Sequence, residues 1–428
     1  MRGNWGHEYG AMIPGALSAM SIATTSGRED WLRRIGWFGF FGAMGWSFGG
    51  SMSYGLIIGH TKSGVGAEIA YGLAMLFVIG FLWGAMGGAG AALPAVVDSG
   101  ILRQFFAPLM CIFLTWAVWE QSRIQQPNWF DTDWLGVLLL LLATAGYCLF
   151  RRRIDDACSL ILHMGAGWWV GFLVLTVALG LRMTPPRSDN WAGCVGMAAA
   201  MFLWLHRRGW GAVSRIALIT AVFSGAGFAL GDLWQVFGPR TGIQINWWSL
   251  MEQSFGFLSG AGLWLGFRRY ARGSRPLQPE APHWSHRFSV WFLLIVVTYL
   301  NISKNVRTAW LPSKALPESW YGLSANTWFH IAYLLLAATA TILILRSPAL
   351  VPSSWLGRAQ ALYLLFLWWI LSGDFSRYLP FPPGRMVTEG VIFLNACLCT
   401  LLVTQSFHGV ELGGLKGGPD AEEYPDRH

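Results

Sequence analysis

Residues 69–97 read IAYGLAMLFVIGFLWGAMGGAGAALPAVV, a long run without one charged side chain. About 20 apolar residues suffice to carry an α-helix across the hydrocarbon of a bilayer, so this stretch decides the class of the fold. Glu68 stands just before it, and Gly87-Gly88-Ala89-Gly90 with Pro94 predict a kink late in the span. Comparable apolar runs recur from end to end. They place spans near 10–25, 35–59, 67–97, 104–120, 134–150, 157–181, 191–206, 212–234, 247–267, 288–303, 326–346, 356–376 and 386–405. The expectation is an all-α polytopic membrane protein with about thirteen transmembrane helices.

Composition agrees with that reading. The chain has 428 residues, 54% hydrophobic and 12% charged, about half the charge of an ordinary soluble protein. Its mean hydropathy is +0.44. A soluble globular enzyme is excluded. Lys and Arg exceed Asp and Glu by eight, 30 against 22, but they sit in short loops between apolar runs rather than in a basic stripe interleaved with aromatics. That distribution speaks for membrane topology and against nucleic acid.

Assigning loops to alternate sides puts nineteen Lys and Arg on the side of the C-terminus and eleven on the other. The positive-inside rule then makes the C-terminus cytoplasmic and the N-terminus external. The expected location is a bacterial inner membrane. Arg151-Arg152-Arg153, Arg207-Arg208 and Arg268-Arg269 become cytoplasmic topology determinants, and 273–287 a proline-rich cytoplasmic linker. Residues 1–8 lack the compact apolar core of a secretory signal, so insertion is expected to rely on the spans themselves.

Two halves of the chain align. Arg33, Gly45, Trp46 and Gly49 match Arg215, Gly227, Phe228 and Gly231 at a constant offset of 182. Glu68-Ile69-Ala70-Tyr71-Gly72 then falls on Glu252-Gln253-Ser254-Phe255-Gly256, Trp168-Trp169 on Trp368-Trp369, and Pro185-Pro186 on Pro382-Pro383. Order is preserved throughout, which is the weak internal symmetry of duplicated helix bundles. Six spans per unit return the second copy in the same orientation, giving two parallel repeats plus one extra helix. The expected divisions are residues 1–190, 191–410 and a disordered tail at 411–428.

Charges inside apolar spans are expensive, at least about 2.5–3.5 kcal/mol at the bilayer centre, so they mark candidate function. Glu68 and Glu252 occupy matching places, and Asp232 lies deep in the eighth span. They are read as a coupling-ion or substrate site at the interface between repeats, or else as helix-end caps. Twenty-six tryptophans supply interfacial belts. Trp168 and Trp368, each in an adjacent pair, could turn a flat face inward toward a sugar ring or an organic cation. The clustered glycines predict close helix packing.

A second polar group, His7, Glu8, Asp374, Arg377 and Glu389, is expected at the outer ends of its spans. Glu120 and Arg123 are expected to face Asn301 and Lys304 there. His163 and His330 lack metal-ligand spacing, and Cys111, Cys148, Cys158, Cys194, Cys397 and Cys399 form no CxxC or Cys/His set. No glycine-rich phosphate loop follows a strand. Neither metal nor cofactor is expected.

These features point to a secondary transporter, proton- or cation-coupled, for a small polar solute such as a sugar or organic cation. Size and repeat style resemble the architecture of the major facilitator superfamily. That family's loop motif between its second and third helices is absent from Gly59-His60-Thr61-Lys62-Ser63-Gly64, so the resemblance implies architecture only. Two alternatives stand beside it. One is a membrane-embedded transferase acting on a lipid-linked substrate through the outer polar cluster. The other is a non-catalytic subunit of a membrane complex. The bilayer is the one certain partner in all three.

Overall fold

The computed structural model describes residues 8–49, 52, 54–122, 124, 129–184, 189–278, 283–346, 357–378 and 383–415. It is 82% helical. In chain order the helices are α1 (Glu8–Thr25), α2 (Glu29–Leu32), α3 (Ile35–Gly49), α4 (Gly55–Thr61), α5 (Gly66–Val96), α6 (Ser99–Gln104), α7 (Phe106–Gln121) and α8 (Trp134–Arg151). There follow α9 (Asp156–Ala178), α10 (Asn190–Arg207), α11 (Gly211–Phe237), α12 (Trp247–Ala271), α13 (Trp284–Trp310), α14 (Ala325–Arg346), α15 (Arg358–Ser376) and α16 (Pro383–Leu415). The last part of α9, Phe172–Ala178, is wound as a π-helix, and α13 contains two such stretches, Phe292–Val297 and Val306–Trp310. A two-stranded antiparallel hairpin, β1 (Ser319–Trp320) and β2 (Leu323–Ser324), joins α13 to α14, with Ser319 opposite Ser324.

Among the described residues eight helical segments are long and apolar enough to cross a bilayer: α5, α6 with α7, α8, α9, α11, α13, α14 and most of α16. Their outward faces are hydrocarbon. Only 11% of the α14 span is buried by protein, and Leu334, Leu335 and Leu343 stand fully outward. A surface of that size and character is unstable in water and stable in lipid. The protein is therefore a helical, multi-pass membrane protein.

Several expected boundaries shift. The span expected over 35–59 ends at Gly49, and a separate short α4 begins at Gly55. Gly49 is pressed against α5, where an added Cβ would come within 2.9 Å of the Trp83 Cα. Helix α5 is continuous from Gly66 to Val96, with Gly87-Gly88-Ala89-Gly90 inside it and Pro94 in its final turn. There Arg34, buried in the turn between α2 and α3, donates from Nη1 to the Pro94 and Val97 carbonyls, each at 2.8 Å. The guanidinium serves carbonyls left over at the helix end. The linker expected over 273–287 is shorter, because α13 already starts at Trp284, capped by the His283 side chain. Helix α16 continues to Leu415, past the expected start of the tail at 411. The remaining tail lies outside the described residues.

Glycine builds the core. Helices α1, α3, α5, α11 and α12 pack in that succession, each against the next. At the α1–α3 crossing a Cβ on Gly15 would lie 2.6 Å from the Gly42 carbonyl oxygen, and one on Gly42 would lie 2.5 Å from that of Gly15. Gly45 and Gly90 make the same mutual approach between α3 and α5. Gly80, Gly84 and Gly88 admit Ser224, Thr220 and Ala217 of α11. Backbone contact this close is what small residues permit in a membrane, where apolar lipid supplies no drive to associate. Helices α7 to α10 pack beside this row, and α13, α15 and α16 close its other flank.

Candidate functional site

A cavity of about 410 Å³ lies within the glycine-packed row, closed by α15 and α16. Its floor is aromatic: Trp46 from α3, Trp83 from α5, Phe228 from α11, and Tyr54 from the segment between α3 and α4. These rings are mutually packed, with Tyr54 at 4.7 Å from Phe228 and Phe228 at 4.9 Å from Phe255. Pro14 of α1 also lines the cavity. Lacking an amide hydrogen, it leaves the helix ladder open at the wall of the cavity.

Two carboxylates face this space from different helices. Glu252, in the second turn of α12, accepts a hydrogen bond from the Tyr54 hydroxyl at 2.5 Å and another from the Trp248 indole at 3.1 Å. Tyr54 and Trp248 stack with centroids 5.6 Å apart, so the two donors hold one another in place. Glu389, near the start of α16, is 5% exposed. Arg385 reaches its Oε1 at 3.8 Å, while Oε2 is buried without a hydrogen-bond partner among the described residues. Gln253 and Asn395 add amides to the lining.

Behind Glu389 lies the rest of the expected outer cluster. Asp374, at the end of α15, is fully buried and close enough to Glu389 to act on its charge. The Arg385 guanidinium stacks 3.8 Å over the Tyr378 ring, and Arg377 lies near the same ring. Helix α13 braces this end of α15: Asn305 donates to the Gly373 carbonyl at 2.7 Å, and Trp310 to that of Ser376 at 2.8 Å. Asp374, Arg377 and Glu389 thus converge. His7 and the Glu8 side chain lie outside the described residues, as do Arg123 and the side chain of Glu120. Asn301 donates to the Tyr9 carbonyl at 3.3 Å, and the Lys304 ammonium lies 5.4 Å over the Tyr9 ring, which ties α13 to the start of α1.

The intramembrane acids read from sequence occupy three different settings. Glu252 lines the cavity. Asp232 is fully buried one helix away on α11, approached by the Thr61 hydroxyl and the Lys62 ammonium at the end of α4. Lys62 donates to Gln235, one turn along α11, at 2.7 Å. No hydrogen bond of full geometry reaches either Asp232 oxygen among the described residues. Glu68 is outside the cavity altogether. It sits half-exposed in the first turn of α5, paired with His60, where the helix N-terminus favours a carboxylate.

Neither expected tryptophan reaches the central cavity. Trp168 is buried against Gly193, on the wall of a second, lateral cavity. Trp368 donates to Thr400 Oγ1 at 3.1 Å across the α15–α16 contact. The rings that do line the cavity include Trp46 and Phe228, the pair matched at offset 182 in the sequence. That correspondence was the available signal for them. Nothing in the sequence singled out Tyr54 or Trp83.

No protein-family model, curated protein or solved structure matches this chain. Function must be argued from the site itself. Among the described residues no three His, Cys, Asp or Glu side chains gather as a metal site would require. His163 and His330 are each hydrogen-bonded to the carbonyl one turn back, Ser159 and Asn326. What the central cavity offers is carboxyl groups on two helices and aromatic faces between them.

Proposed function

We propose that this protein is a secondary transporter of a small organic cation, driven by exchange of protons. The observation that carries the proposal is the pairing of Glu252 and Glu389 on separate helices across one cavity of about 410 Å³ floored by Trp46, Trp83, Phe228 and Tyr54. A quaternary or tertiary ammonium is attracted to aromatic faces, and two carboxylates neutralise it where water is scarce. The volume suits a ligand of modest size. A sugar would use the same rings with the amides of Gln253 and Asn395, and is the second candidate solute.

In this proposal Asp232 carries the coupling proton. A buried carboxylate is costly while charged and uncharged once protonated, so its protonation can bias the packing of α11 on its neighbours. Glycine-lined crossings allow such sliding without large side chains interlocking. The reading includes about thirteen crossings, two parallel repeats rocking about the central site, an external N-terminus, a cytoplasmic C-terminus and a bacterial inner membrane.

The direct test is ligand-dependent stabilisation of the purified full-length protein. Choline and tetramethylammonium should raise the melting temperature in a saturable way, and Glu252→Gln should abolish the shift while leaving the unliganded melt in place. Stabilisation by glucose and not by choline would reassign the solute. No response to cations, sugars or amino acids would remove the transport reading.

A further inference from the structure

A hollow of about 460 Å³ lies against α11 and α12, bordered across a gap by Asn395 of α16. Leu230, Trp234 and Phe257 line it and are 58%, 47% and 76% exposed, a surface that hydrocarbon covers in a bilayer. Gln253 of α12 and Asn395 of α16 line this hollow and the central cavity alike. The two spaces therefore meet at a pair of amides.

The helices that carry this pair are not packed together. Among the described residues α12 packs on α11, and α16 on α15 and α1, with no close packing of α12 on α16. Gly256 and Gly260 follow Gln253 along one face of α12 at helical spacing, and both line the central cavity. At the α1–α3 and α3–α5 crossings glycine marks where backbone meets backbone. A Cβ on Gly256 or on Gly260 would instead meet nothing within 4 Å, so here the missing side chains keep a space open.

Polar atoms along the same route lack partners. Gln253 Nε2 is buried with no hydrogen bond among the described residues, and so is Glu389 Oε2 at the inner end. Buried polar atoms are ordinarily hydrogen-bonded. The Gln253 amide nitrogen is thus not latched to a neighbour, and Glu389, 5% exposed, turns an unpaired acceptor to the cavity wall.

We infer that the central cavity is loaded sideways from the bilayer through the gap between α12 and α16, and that its cation is the head of an amphiphile, an alkylammonium whose hydrocarbon chain lies past Gln253 and Asn395 in the outer hollow. The Glu252 and Glu389 carboxyl groups with the aromatic floor take the head, and Leu230, Trp234 and Phe257 take the chain. This rests on the cation reading of the central site and adds to it the route and the tail.

Calorimetric titration of the full-length protein in lipid nanodiscs tests this, with empty nanodiscs as the blank. Octyltrimethylammonium should bind at least tenfold more tightly than tetramethylammonium, and Glu252→Gln should weaken both by tenfold or more. Leu250→Trp adds bulk to the outer hollow, which Leu250 lines without reaching the central cavity. It should remove the advantage of the chain and leave tetramethylammonium binding within twofold. A photoreactive group on the octyl chain should label residues 230–234 and 250–258 of the unaltered protein, in competition with octyltrimethylammonium, a result that does not depend on the folding of any variant. Equal affinity for the two cations, a chain advantage that survives Leu250→Trp, or labelling spread over lipid-facing helices without competition would overturn the sideways route, while Glu252-dependent binding of tetramethylammonium would still uphold the cation reading. Binding of neither cation would overturn both.

Discussion

The Tyr54 hydroxyl donates to Glu252 Oε1 at 2.5 Å while the Tyr54 ring stacks on Trp248, whose indole donates to the same oxygen. One carboxylate oxygen is thus held by two donors whose rings brace each other. Preorganisation of this kind spares the site the cost of ordering on binding.

Tyr54→Phe removes one charge-assisted hydrogen bond, worth about 1.5–3 kcal/mol, and leaves the stack in place. Cation affinity should fall by roughly tenfold or more, with little change in folding. Titration by tryptophan fluorescence measures it, and an unaltered affinity would separate Tyr54 from the site.

Asp232→Asn should uncouple the protein. Cation binding to the central cavity should persist, because Asp232 does not line it, while accumulation driven by an imposed pH gradient should drop to equilibration. Glu68→Gln, at the half-exposed pair with His60, should leave both properties within about twofold, as expected of a surface pair. Binding and uptake measured on the same preparations distinguish the two acids.

The glycine crossings should be intolerant of bulk. Gly42→Val drives side-chain atoms into the Gly15 carbonyl, and overpacking of this sort costs about 1–3 kcal/mol. Gly100→Ala meets nothing within 4 Å and should be neutral or slightly stabilising. Melting temperatures in one detergent give the comparison. Equal melts for the two variants would contradict the close packing of α1 on α3.

At the opposite end of the bundle, Asp30 fastens the segment after α12. It pairs with Arg28 at 2.7 Å and accepts from the Leu277 amide at 2.9 Å, while Arg28 also holds the Arg275 carbonyl. Burial works to raise the Asp30 carboxyl, but the Arg28 and Leu277 hydrogen bonds outweigh it and leave the group below its ordinary 3.8. A carboxyl depressed in the folded state stabilises fully above its unfolded value, and that contribution is lost as pH falls through the folded one. Protection of the 274–278 amides, relative to their intrinsic exchange at each pH, should therefore be high at neutral pH and fall only below about pH 4. Asp30→Asn should lower that protection at neutral pH and make no further difference once Asp30 is protonated, and a loss centred near neutrality would exclude Asp30 as the fastener.

The sequence made the architecture legible because hydrocarbon length is a strong, local signal: the uncharged run after Glu68 became α5, and the glycine clusters became helix crossings. Breaks were harder to read. The close approach of Gly49 to Trp83 joins residues far apart in the chain, and the π-stretches at Phe172 and Phe292 carry no residue signature. The acids were found by their cost in the bilayer, but their grouping was not visible. Glu68 and Glu252 hold matching places in sequence, yet α4 offers His60 to one while Tyr54 and Trp248 enclose the other. Tyr54 lies in a break between helices, and only the folded chain shows that it closes the floor of the cavity.

The central claim is that Glu252 and Glu389 bind a cation that the protein moves. Uptake of radiolabelled choline into proteoliposomes, under an imposed pH gradient, tests it most directly. The account predicts gradient-driven accumulation by the unaltered protein, and its loss in Glu252→Gln and Glu389→Gln preparations that insert and melt normally. Accumulation undiminished in both variants would contradict it.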